Sequence, residues 1–140
     1  MPINHFHILG IAVVVVLSIW LLDRWCFRRR ATRFRGVARE MKVRYSPVDR
    51  FNIAPRIAPG LPDPGAADVL VRDLMYRTTQ RDHDYVFTVI YTVGSIGGTR
   101  RKQRVAAASE PHGRSCDSFG DLRFADASLS VRAQYESLVD

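Results

Sequence analysis

Cysteine is nearly missing from this chain, with only Cys26 and Cys116 among 140 residues. Two thiols so far apart in sequence give neither a disulfide scaffold nor a zinc knuckle. Low-complexity tracts are missing too. Aromatics make up 10% of the residues and β-branched residues are plentiful, which excludes collagen-like and disordered classes. Acidic charge is scarce between Asp23 and Arg50, where Asp23, Glu40 and Asp49 face ten Lys and Arg. The excess of seven equals the formal net charge of the whole protein, +7, so residues 51–140 are neutral overall. At this length the chain holds one ordinary domain plus appendages.

Signatures of catalysis are also absent. No serine stands in a nucleophile elbow. Gly94-Ser95-Ile96-Gly97-Gly98-Thr99 lacks the Gly-Lys-Ser/Thr step of a phosphate-binding loop and is followed by strand-like residues, so it reads as a hairpin turn. Asp82-His83-Asp84 offers three donors in a row, but consecutive residues in a turn rarely converge on one metal ion. His5 and His7 form a weak His-x-His that reads as a pair of interface residues. Cys116, beside Asp117 and with Arg114 as its nearest cation, reads as an ordinary thiol. Lipidation of Cys26 has no supporting motif. The expectation is therefore a protein that is no enzyme, with no cofactor and no metal.

What the chain does have is one long apolar run. Residues 6–22, FHILGIAVVVVLSIWLL, carry no Asp, Glu, Lys or Arg. As a helix they cover about 25 Å, near the lower length limit for crossing a bilayer core of about 30 Å. Trp25 and Phe27 extend the apolar span. Trp20 and Trp25 suit the headgroup level, where an indole keeps its ring in lipid and its N–H wet. A cleaved signal peptide would place Lys or Arg before the run and a small-x-small site after it. MPINH precedes it and DRWCFRRRATRFR follows, so the run reads as a transmembrane helix over residues 6–27. Basic flanks stay in the cytoplasm, which predicts a short tail (residues 1–5) outside and everything after the span inside.

Arg28, Arg29 and Arg30 open a basic helix over residues 28–45, with Phe34, Val37 and Met41 as its apolar stripe. Ser46-Pro47 should end it. Residues 46–67 hold five of the seven prolines and read as an ordered loop packed on the domain. A small α+β domain is expected over residues 68–140. Val69–Thr79 is ambiguous between strand and helix. Asp84–Gly94 alternates Tyr85, Phe87, Val89, Tyr91 and Val93 on one face with Val86, Thr88, Ile90 and Thr92 on the other, as a central strand covered on both sides would. Thr99–Ser109 returns as its hairpin partner. About three antiparallel strands result, followed by a helix over residues 127–139 for which Asp126 is the expected cap. Arg100, Arg101, Lys102 and Arg104 put positive heads on both faces of the returning strand. Together with Arg28–Arg30 they are the candidate contact residues for anionic lipid or a partner, with nucleic acid disfavoured because no aromatic-interleaved pattern accompanies them.

The apolar span, the stretch VAREMKVRYSPVDRF, then DHDYVFTVIYTVG, an arginine–lysine cluster and RVAAASEP together resemble a group of small, uncharacterised bacterial single-pass membrane proteins. Tyr91-Thr92-Val93-Gly94 and Arg104–Pro111 carry most of the likeness. The resemblance implies a bacterial inner membrane and a tyrosine-rich strand followed by a basic one. It brings no activity, substrate or catalytic residue. The expected role is an accessory or scaffold subunit of a membrane protein complex. The rival expectation is a module binding anionic lipid or nucleic acid at the membrane surface.

Overall fold

The computed structural model describes residues 5–113 and 117–139. The expectation for Cys116 lies outside them. Two compact units divide between Phe34 and Arg35.

The first unit is the greater part of helix α1, His5–Glu40, 36 residues without a break. The transmembrane helix expected over 6–27 runs directly into the basic helix expected over 28–45, as one element without a bend-forming break at Arg28–Arg30. Gly36 does not interrupt it, because a single glycine costs only about 1 kcal/mol relative to alanine in a helix. Nor does the helix reach Tyr45. It stops at Glu40, six residues before Ser46 of the Ser46-Pro47 stop signal. Lys42 then takes a left-handed conformation (φ 55°) and Val43 N–H closes onto the Ala38 carbonyl at 2.9 Å.

The second unit is α+β, built on an antiparallel meander of five strands in sequence order rather than about three. They are β1 (Arg44–Val48), β2 (Ala66–Thr78), β3 (Asp82–Ser95), β4 (Gly98–Pro111) and β5 (Leu122–Phe124). The central strand is β3, whose two apolar faces are both buried from Tyr85 to Tyr91, as the alternation implied. It pairs with β4 along its whole length, from Asp82↔Pro111 to Ser95↔Gly98. Gly97, at φ 110° in the connecting turn, has a backbone that other residues rarely adopt.

The strand β2 settles the ambiguity of residues 69–79 and carries two bulges. Its register against β3 gains a residue between Ala67 and Leu70 and again between Arg72 and Met75. Asp68 (φ 51°) and Asp73 (φ 50°) occupy these steps in the left-handed region, which aspartate tolerates better than most residues. Each bulge shifts the side-chain phase by one. Val69 and Val71 before the second bulge therefore share a face with Leu74 and Tyr76 after it.

One face of the sheet is covered by residues expected to be a loop. Helix α2, Ile53–Ile57, and a 3-10 turn, Ala58–Gly60, lie within residues 46–67. The Asp49 carboxylate accepts hydrogen bonds from the Ile53 and Ala54 N–H groups, both at 2.8 Å. Pro55 sits in the first turn of α2, where its missing N–H would have no helical partner anyway. Ile53, Ile57 and Phe119 pack on Val71, Leu74, Phe87, Val89, Tyr91 and Ala106.

On the other face lies α3, Val131–Val139, shorter than the expected 127–139. Asp126 does not cap it. Its carboxylate accepts from Ser128 N–H at 2.9 Å in the preceding turn, and Ser130 Oγ accepts from Ala133 N–H at 3.3 Å at the helix start. Arg132 joins α3 to Glu40 at 2.6 Å.

Candidate functional site

Along α1 the residues from Phe6 to Phe27 are exposed, including every large apolar side chain of the run. By length and composition this helix can cross a membrane. Trp20 and Trp25, the expected interface residues, each hold a guanidinium one turn on: Arg24 lies 5.2 Å from the Trp20 ring centre and Arg29 lies 3.6 Å from that of Trp25. Such pairs leave the indole face in apolar surroundings and the cation at the polar boundary. Arg28, Arg29 and Arg30 point in different directions, since successive helical residues turn by about 100°. Arg30 leans over the Phe34 ring at 5.6 Å.

The basic strand is resolved into two kinds of residue. Arg100 and Arg101 are exposed. Lys102 is tied to Asp63 at 2.5 Å, and Arg104 lies 5.8 Å from the Phe124 ring centre. Asp63 also accepts from the Tyr91 hydroxyl at 2.5 Å. The hydrogen bond from Lys102 and then that from Tyr91 hold the Asp63 carboxyl below its usual range. Burial, followed by the hydrogen bond to Asp63, pushes the Tyr91 hydroxyl up to about 12. Of the four candidate cations, two face solvent without an ion-pair partner among the described residues, one on each side of the strand.

Asp82, His83 and Asp84 part company, as residues of a strand must. Asp82 closes the β2–β3 turn through its backbone with Thr79. Asp84 accepts from Ser109 at 2.8 Å and meets Arg77 at 3.4 Å. His83 Nε2 lies 2.9 Å from His112 Nδ1, while its Nδ1 lies 3.0 Å from Thr78 Oγ1. Among the described residues no three His, Cys, Asp or Glu side chains gather as a metal site.

Sequence reasoning missed two features. Arg56 and Glu110 form an ion pair at 2.6 Å, with Arg56 stacked 4.2 Å from the Phe119 ring centre. Their separation in sequence left no local signal. A cavity of about 220 Å³ opens on the α3 face between Val43, Met75, Val86 and Leu138, with Arg77, Asp84 and Arg123 at its rim. Pockets that enclose a drug-sized ligand usually span about 300–1,000 Å³, and a cavity of about 150 Å³ already admits a benzene-sized group, so this one has room for a small group.

Strand β4 has a partly open outer edge. Its inner edge is fully paired with β3, but β5 covers only Ala106–Ala108 of its outer edge. Among the described residues, none pairs with the outer edge of the basic segment 99–104. No protein-family model, curated protein or solved structure matches this chain.

Proposed function

We propose that the protein is a single-pass membrane protein whose α+β domain faces the cytoplasm and docks another protein, as an accessory or scaffold subunit of a membrane complex. The observation that carries this reading is the charge and apolar partition along one unbroken helix. An exposed apolar run from Phe6 to Leu22 is followed by Asp23 and then by Arg24, Arg28, Arg29 and Arg30. A basic flank of this kind is retained on the cytoplasmic side of a bacterial inner membrane. The domain it carries is charge-neutral over residues 51–140, with Arg100, Arg101, Lys102 and Arg104 collected on one strand.

A second reading, binding of anionic lipid, is favoured by the Trp20–Arg24 and Trp25–Arg29 pairs. Each Lys or Arg near an anionic surface contributes about 1 kcal/mol. The deciding experiment is affinity capture of the tagged full-length chain from gently solubilised membranes, followed by native mass measurement. A second polypeptide at fixed stoichiometry is expected. Recovery of the 15.9 kDa chain alone, with tight salt-sensitive binding to phosphatidylglycerol vesicles, would replace docking with the lipid reading.

A further inference from the structure

We propose that the open outer edge of β4, residues 99–104, is a strand-addition site for an acidic, extended peptide segment of the docked protein. The inference rests on the docking reading above and names the surface and the partner's chemistry.

Backbone direction comes first. The Val105 carbonyl accepts from Ala125 N–H at 2.9 Å, so residue 105 turns its polar groups away from β3. A strand repeats every second residue. Gln103, Arg101 and Thr99 therefore turn their N–H and C=O groups the same way, toward the side where the pairing with β5 has already ended. These three residues are exposed and form a row of donors and acceptors that a further strand can pair.

Edges of this kind are usually blocked by brevity or proline. Strand β1, which covers residues 72–76 of β2 on the opposite side, shows both devices, since it has five residues and includes Pro47. The β4 edge has neither. Among the described residues its guard is charge: Arg100, Arg101, Lys102 and Arg104. That guard selects as well as protects. A second copy pairing edge to edge would set arginine against arginine, which is destabilising across strands. An acidic strand would set carboxylates against Arg100 on one face and Arg101 on the other. Lys102 is already paired with Asp63 and Arg104 lies half-buried against the Phe124 ring, so the two exposed arginines carry the selectivity.

The test uses the full-length protein in neutral detergent and fluorescein-labelled peptides, read by anisotropy. (Glu-Val)4 should bind saturably, and (Lys-Val)4 at least ten-fold more weakly. (Glu-Pro)4 has the same charge but no backbone donors at alternate positions, and it should also bind at least ten-fold more weakly. Gln103→Pro should lose binding by the same factor with an unchanged circular dichroism spectrum, because its N–H faces away from β3. R100E/R101E should invert the preference between the Glu and Lys peptides.

Equal binding of (Glu-Val)4 and (Glu-Pro)4 would overturn the proposal in favour of a plain charge patch, and needs no protein variant that could misfold. Absence of saturable binding by (Glu-Val)4 would overturn it as well, as would displacement of that peptide by anionic vesicles from wild type and Gln103→Pro alike. The two levels separate in membranes. If the wild-type chain captures no partner, the docking reading falls. If Gln103→Pro captures the same partner as efficiently as wild type, docking stands and the strand-addition assignment falls.

Discussion

Tyr135 and Asp73 join four elements through a few hydrogen bonds. The Tyr135 hydroxyl donates to the Asp73 carbonyl at 3.2 Å and also meets the Thr88 hydroxyl, so α3 is pinned to β2 and β3 beneath full burial. The Asp73 side chain accepts from Tyr45 at 3.0 Å, which adds β1. Tyr135→Phe withdraws a buried partner from both Thr88 and the Asp73 carbonyl, and should lower stability by about 1–3 kcal/mol in urea titration. Asp73→Asn should be far milder than Asp73→Val, since asparagine tolerates φ 50° and keeps an acceptor for Tyr45, while a β-branched residue does neither. Equal losses from the two substitutions would rule out the bulge conformation as the cause.

The Tyr91–Asp63 pair predicts two limbs of pH dependence. Tyr91 is raised from 10.0 to about 12, so its contribution is complete below pH 10 and lost as pH rises toward 12. Asp63 is lowered, so its contribution is present above the usual aspartate range and lost as pH falls through its depressed value. Ultraviolet titration of the tyrosines should show a late component that Tyr91→Phe removes. A profile unchanged by that substitution would contradict the assignment.

At the scale of elements, legibility followed the strength of local periodicity. The two faces of β3 were readable because a central strand must be apolar on both, and the glycine turn announced β4. Strand β1 was hidden because Ser46-Pro47 reads as a helix stop, whereas proline is tolerated on an edge strand whose N–H faces outward. Helix α2 was hidden by Pro55, which occupies a position that needs no donor, and by Asp49, a cap displaced from the usual place. Strand β5 is three residues long and exists through its pairing with Ala106–Ala108 rather than through any pattern of its own. The candidate cations were legible as a cluster. Their division into paired and exposed members was not, because Asp63 reaches Lys102 from 39 residues away.

For the whole molecule, the claim is that the first unit anchors the second at a membrane. V14R/V15R places two cations within the apolar run, at about 2.5–3.5 kcal/mol each near a helix centre. The variant should shift from the membrane pellet to the soluble or degraded fraction. Gly10→Ala meets nothing within 4 Å and should leave fractionation unchanged.

Orientation is the most direct test, and it needs only C-terminal reporter fusions expressed in bacteria. A green fluorescent protein fusion should fluoresce in the membrane fraction while the matching alkaline phosphatase fusion stays inactive, which is the pattern of a cytoplasmic domain. Active phosphatase with a dark fluorescent fusion would place the α+β domain outside and contradict the proposed cytoplasmic docking role.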